Sequence, residues 1–447
     1  MASASSPRVL RALDPAEKYF WLIYLLNRMT AVFYVGAERT FEEDELAGAL
    51  AAIQRRHPFL RSRVEVVDGE YAFVEVDGSV PITVMPLAPG APVPIPELEL
   101  WPFPDSPHPL IRCFYLPVVG ENRSVLALVM HHIFLDGSSG LFMMRQFVRA
   151  LEGSDDVDLS ASDAVPPAVS SRFPPEFASP RTAAQVLGTI RAEREGQPPP
   201  DVLPFHDRHA PATRPRHDLL VVAGDDLTAL VAKAKETGAT VTGYIDAAFL
   251  EAAADLFDDD EAHWICLASA TDLRPRAQPP LPHDDMQLAI GMLCTPYLVS
   301  SATSEALPRQ IGEQIRREVE RGESHLFYRF GRTATYPPTD EGLAAFTKWV
   351  DSTPQNVTVS STGVQDDTGD PAWCRRISAT MLPGPNQLAF TAVTTYRGEM
   401  VLNVSTDVAK MSPELADRFV DELVTRLGAR CEQTTTYSPE AGNVVSG

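Results

Sequence analysis

Five apolar residues in a row, Leu126 to Met130, run directly into two histidines, His131 and His132, followed by Asp136, Gly137 and then "SSGLFMMRQFVRALEG". A short continuous apolar run suits a strand buried on both faces. The second stretch carries apolar residues at helical spacing and predicts a helix capped near Ser138 and closed by Gly153. A buried strand that delivers two imidazoles to a strand-to-helix loop fits a sheet covered by helices, an α/β fold.

The flanking sequence alternates in the same way. Asp14, Pro15 and Glu17 mark a helix start, and the apolar run Tyr19 to Leu26 either continues that helix or passes into a strand. Residues from about Thr40 to Arg56 predict an amphipathic helix with Leu46, Leu50 and Ile53 on one face, stopped by Pro58. Asp68 and Gly69 mark a hairpin, Pro86 to Pro109 a proline-rich loop, and two strands flank a turn at Gly120 to Arg123. From about Ser154 to Arg216 the composition turns proline-rich around one helical segment, "TAAQVLGTIRAERE". At 447 residues the chain exceeds the usual limit of a single core. It is therefore expected to divide into a first half at 1–180, a crossover at 181–216, a second half at 217–433 and a disordered tail at 434–447. The second half predicts strands at "HDLLVVA", "WICLASATDL", "NVTVSSTGV", "QLAFTAVTTY" and "EMVLNVSTD", two helices separated by Gly238, an arginine-bearing helix over 305–321 and a last helix over 413–426.

Charge narrows the partners. Lys and Arg number 38 against 60 Asp and Glu, a net charge of −22, which opposes general affinity for nucleic acid or an anionic membrane. No uninterrupted apolar stretch reaches the roughly 18 residues needed to span a bilayer. Cys113, Cys266, Cys294, Cys374 and Cys431 are scattered without CxxC spacing and read as free thiols in a reducing compartment, so a soluble cytoplasmic protein is expected. A metal site is not expected. If the extended run persists through the pair, His131 and His132 point to opposite faces, and His206 with His209 lack companion ligands.

His131, His132, Asp136 and Gly137 form the pattern HHxxxDG, which average residue usage produces by chance in roughly one in a thousand chains of this length. The stretch "HHIFLDG" resembles the motif of the superfamily that contains chloramphenicol acetyltransferase, plant-type acyl-CoA acyltransferases, wax-ester synthases, polyketide-associated acyltransferases and nonribosomal peptide condensation domains. Further resemblance, in order along most of the chain, lies in "RRHPFLRSRV", "HPLIRCFYL", "TVTGYIDAAFLEAA", "DLRPR" with "IGMLCTP", and "TTYRGEMVLNVSTD".

The resemblance implies two similar α/β subdomains of the chloramphenicol acetyltransferase type, set in a V with a tunnel at their interface. It implies His132 as general base at the tunnel centre, His131 as its support, and Asp136 as a structural residue paired with an arginine of the other half. Arg274 is the best match for that arginine and Arg276 the next. Gly137 permits a tight turn before the helix. An oxyanion donor is expected on the strand "NVTVSSTG", where alternation puts Asn356, Thr358, Ser360 and Thr362 on one face. Ser360 is preferred and Thr362 second, the alternative being that both are ordinary polar strand residues. The expected reaction moves an acyl group from a thioester, acyl-CoA or an acyl carrier protein's phosphopantetheine, to a small-molecule hydroxyl, in polyketide or lipid secondary metabolism. No cofactor is expected to be bound. The stretch "DFGWG" is absent, no DxxxxD replaces the histidine pair, a second glutamate motif is absent, and Ser138 and Ser139 are not in a GxSxG elbow. A stand-alone ester-forming enzyme is therefore expected, the alternatives being amide formation on an amine and a noncatalytic binding member. Arg309, Arg316, Arg317 and Arg321 could meet a phosphate or an acidic carrier, or form a solvated helix face.

Overall fold

The computed structural model describes residues 8–103, 106–154, 158–204, 213–282, 285–330 and 336–437. Their strands form three sheets. A small one holds β1 (Val9–Ala12), β4 (Glu70–Glu75) and β3 (Ser62–Val67), with the predicted turn at Asp68 and Gly69 between the last two. The first large sheet runs β12 (Cys374–Met381), β2 (Ala31–Ala37), β7 (Ser124–Met130), β6 (Ile111–Pro117), β5 (Ile82–Val84). The second runs β10 (Ile290–Val299), β9 (His263–Asp272), β11 (Asn356–Val364), β13 (Gln387–Tyr396), β14 (Glu399–Asp407), β8 (Pro215–Ala223), β15 (Glu432–Tyr437). This mixed architecture has two sheet-rich halves, as the alternating pattern predicts.

Two of the expected boundaries change. Strand β12 comes from the second half of the sequence yet pairs antiparallel with β2, so residues 374–381 complete the first sheet and the range 217–433 is not one spatial unit. Residues 434–437, expected in a disordered tail, extend β15 along β8; the remainder of that tail, with His206 and His209, lies outside the described residues. The proline-rich loop contains a short helix, Ile95–Leu100, with Leu98 fully buried. The helix Asp340–Ser352, the strand β1 and the strand β12 have no counterpart in the sequence reading.

The helix Pro15–Asn27 takes in the whole apolar run. Glu17 accepts from the Asp14 N–H at 2.6 Å and from Arg11, while the Asp14 carboxylate accepts from the Ser170 N–H at 2.9 Å. The helix start is thereby fixed to the segment that leaves the first half. The helix Glu43–Arg56 buries Leu46, Leu50 and Ile53 as predicted. In the second sheet, Val357 and Val359 of β11 face a core shared with the helices Val241–Ala254 and Pro413–Leu427. The opposite face carries Phe390 and Ala392, which belong to the core of the first half. The two halves thus share a packed seam. The motif lies beside it.

Candidate active site

Strand β7 ends at Met130, one residue before the pair. His131 keeps extended backbone, and His132 begins a 3-10 turn over His132–Phe134. The extended geometry assumed for both histidines therefore holds only for the first. Their surroundings still differ. The His131 ring lies among Trp21, Tyr24 and Phe103, with centroids 5.2, 4.4 and 6.0 Å away. Its Nδ1 accepts from the Ile133 N–H at 3.3 Å, so the neutral ring carries its proton on Nε2. Burial, reinforced by His132, holds its pKa well below the ordinary value.

His132 stacks on Phe20 of the first helix, centroids 4.0 Å apart and planes within 1°. The residue is 8% exposed, and its Nδ1 is buried. Burial lowers its pKa, partly offset by its own backbone, the charge of Asp136 and the backbone of Leu135. At neutral pH the ring is therefore neutral and able to accept a proton. The sequence reading did not find Phe20. The available signal was the density of aromatic residues in "KYFWLIY".

Asp136 does two jobs with one carboxylate. It caps the motif helix Gly137–Glu152, two residues before the cap predicted near Ser138, by accepting from the Ser139 N–H at 3.0 Å; Ser139 Oγ accepts in return from the Asp136 N–H at 3.2 Å. The spacing of Asp136 and Ser139 is that of a capping box and was readable in the sequence. The same carboxylate meets Arg274 Nη1 at 2.9 Å and Nη2 at 3.2 Å, and the Ala289 N–H at 2.8 Å. Burial alone would raise its pKa, but the Arg274 charge and these hydrogen bonds hold it below the ordinary carboxylate range. Arg274 also reaches Ser139 Oγ and the Gln287 carbonyl, so the second half grips the loop that carries His132. Arg276, at the far end of the same short turn, acts instead on His325.

Gly137 is not in the left-handed region. What it supplies is space: a Cβ there would stand 3.0 Å from Thr362 Cγ2. This contact turns the Thr358, Ser360 and Thr362 face of β11 toward the motif. The Thr362 hydroxyl is committed to the Val393 carbonyl at 3.1 Å and Thr394 Oγ1 at 3.2 Å, whereas Ser360 is half-buried on the same face. Strands β9 and β11 pair only over Asn356 to Val359, so Ser360 follows the last paired residue.

The predicted arginine helix spans Leu307–Glu320. Arg309 pairs with Glu313 at 2.7 Å, Arg317 with Gln314, and Arg321 with Glu193 and Glu323. A cavity of about 530 Å³ lies between this helix, β10 and the crossover helix Pro180–Glu193, lined by Arg194, Tyr297, Arg317 and Glu318 among others. Among the described residues, no helix is long and apolar enough to cross a membrane.

Residues 213–373 match the family described as phthiocerol/phthiodiolone dimycocerosyl transferase C-terminus. Polyketide synthase associated protein 5 from Mycobacterium tuberculosis is similar over 94% of this chain and 99% of its own, at 17% identity and a TM-score of 0.62. The TRI3 trichothecene 15-O-acetyltransferase from Fusarium sporotrichioides covers 96% of this chain and 99% of its own, at 14% identity and a TM-score of 0.69. A segment of surfactin synthase subunit 2 from Bacillus subtilis (strain 168) is 26% identical over 148 residues, 32% of this chain and 4% of that protein's length. The matched C-terminal segment, the fold shared with these structures and the HHxxxDG motif agree with the resemblance to the superfamily of chloramphenicol acetyltransferase-like acyltransferases and condensation domains.

Proposed function

We propose that the chain transfers an acyl group from a thioester to a small-molecule hydroxyl, with His132 as general base. The observation that carries this reading is the His132 imidazole itself: neutral, desolvated, clamped flat on Phe20 and placed on a loop that Asp136 and Arg274 immobilise. Because Nδ1 is buried, Nε2 is the nitrogen proposed to meet the acceptor. It takes the hydroxyl proton as the oxygen attacks the thioester carbonyl, and the imidazolium returns that proton to the departing thiolate. The tetrahedral oxyanion formed between these steps needs a hydrogen-bond donor. Ser360 is the proposed donor, since the Thr362 hydroxyl already has partners. Donor and acceptor are proposed to approach along the seam between the halves, the donor being acyl-CoA or an acyl carrier protein.

Similarity to a surfactin synthase segment supports amide formation on an amine as the second reading. Both use the same base, and the product separates them. The test is mass spectrometry of products from acyl-CoA and acyl-carrier donors offered with alcohols and amines, comparing wild type with His132→Ala. An ester made by wild type and lost by about 10²- to 10⁴-fold in the variant supports the proposal. Undiminished transfer by the variant removes His132 as base; no product from any pairing favours a noncatalytic binding role.

A further inference from the structure

We propose that the buried ion pair Arg11–Glu17 is a positioning element for His132, holding Phe20 flat on the imidazole through the first turn of the helix Pro15–Asn27, an inference that rests on the reading of His132 as base. Glu17 and Phe20 are three residues apart and so share one face of that helix. Both are buried, at 2% and 6% exposure. Whatever fixes Glu17 therefore fixes the ring that stacks on His132 at 4.0 Å.

Glu17 is held from two sides. Arg11 of β1 presents Nη1 and Nη2 to its two oxygens at 2.7 and 2.6 Å, a fork that sets angle as well as distance. The Asp14 N–H reaches the same carboxylate at 2.6 Å. Arg11 is itself immobilised: its guanidinium lies 5.0 and 5.2 Å from the ring centroids of Phe59 and Phe73, and its Nε donates to the Pro166 carbonyl at 2.9 Å. With the contact between Asp14 and Ser170, the segment that leaves the first half is anchored to the turn that carries Phe20. Burial raises the Glu17 pKa, and Arg11 offsets part of the rise. A buried ion pair is a weak source of stability beside apolar side chains of similar volume, so a bidentate pair at this place is better explained by what it orients.

Glu17 does not act on His132 by charge. Asp136 is the charged side chain that shifts the imidazole, against the larger effect of burial, and the neighbouring His131 is neutral. The two routes have opposite signs. Loss of a nearby negative charge lowers an imidazole pKa, whereas a loosened stack admits water, relieves desolvation and raises it.

The test titrates the His132 imidazole by NMR in the full-length chain, its signal among the ten histidines assigned by its loss in His132→Gln. Glu17→Gln keeps an acceptor for the Asp14 N–H and removes the charge that Arg11 grips. Its His132 midpoint should rise by about 0.5 or more toward the ordinary value of about 6.5. In the same variant kcat for transfer should fall about tenfold or more with KM little changed. Adding Glu17→Gln to Phe20→Leu should raise the midpoint no further than Phe20→Leu alone, because both act through one stack. Should Glu17→Gln not fold, Arg11→Met combined with Glu17→Gln removes the pair without leaving a buried charge, and the same rise is expected. A midpoint that stays or falls in these variants, or shifts that add when Glu17→Gln and Phe20→Leu are combined, overturns the proposal. Undiminished transfer by His132→Ala removes the base and not the positioning, which the titration reads without turnover.

Discussion

Arg274 presents Nη1 and Nη2 to the two carboxylate oxygens of Asp136 at 2.9 and 3.2 Å, joining residues 138 positions apart. Both side chains are 1% exposed. The carboxylate also caps the motif helix and receives the Ala289 N–H, so one buried charge sets the start of a helix, the position of the histidine loop and the docking of the second half.

Removing that carboxylate takes away the bidentate partner of the buried guanidinium and leaves it the more exposed Asp272, 3.3 Å from Nη1, and Asp136→Ala should cost about 3–5 kcal/mol in urea unfolding. Asp136→Asn should cost less, because its amide oxygen still accepts from Ser139. The sign of the pH dependence follows from the lowered folded pKa. The stabilisation is full above the unfolded carboxylate value of about 3.9 and is lost as pH falls through the folded pKa. Wild type should therefore lose stability in acid more steeply than Asp136→Asn. Equal slopes would exclude the ion pair as the source.

The activity limb belongs to a different residue. His132 has a lowered pKa, so kcat/KM for transfer should already be on its plateau at the ordinary imidazole value of about 6.5 and fall only at lower pH. Phe20 excludes water from one ring face. Phe20→Leu keeps apolar volume but loosens that stack, and the acid limb should move toward 6.5 with a lower plateau. A pH–rate profile that coincides with wild type would show that Phe20 does not tune the base.

The motif strand and the motif helix were legible in the sequence because each rests on local periodicity. The sequence also led to Arg274, though through a family resemblance and not from spacing. Long-range pairing was not legible: β12 joins β2 over three hundred residues upstream, and nothing in "CRRISATM" records which sheet it completes. Phe20 was missed for the same reason, since its role depends on how one helix crosses the histidine loop. Gly137 was assigned to backbone freedom when its cause is Thr362, a neighbour far along the chain.

That neighbour allows a direct check. Gly137→Ala pushes a methyl toward Thr362 Cγ2 and should cost about 1–3 kcal/mol through overpacking. Thr362→Ser removes the methyl while keeping a hydroxyl for the Val393 carbonyl, and should recover most of the loss in the double variant. A double-mutant cycle measured by urea unfolding reads the coupling, expected at about 0.5–3 kcal/mol. Strict additivity would mean that the two side chains do not meet.

A second buried tie joins the halves away from the motif. His217 Nε2 lies 2.7 Å from Glu99 Oε2, and its Nδ1 lies 2.8 Å from Ser405 Oγ and 3.1 Å from Thr380 Oγ1. Glu99 comes from the short helix of the first half, Thr380 from β12, and His217 and Ser405 from the second sheet. Burial raises the Glu99 pKa, and His217 partly offsets it. His217→Ala leaves that carboxylate buried without its partner and should cost about 3–5 kcal/mol near neutral pH. Without His217 the folded pKa of Glu99 rises further above its unfolded value, so the folded state of the variant binds a proton more readily. Its stability then increases as pH falls from the folded pKa toward the unfolded value of about 4.3. The deficit of His217→Ala relative to wild type should therefore shrink between pH 8 and pH 5 in urea unfolding. His217→Ala combined with Glu99→Gln, which removes the charge, should lose this trend. A deficit that is the same at both pH values in the single variant would show that the tie acts through packing and not through the buried charge.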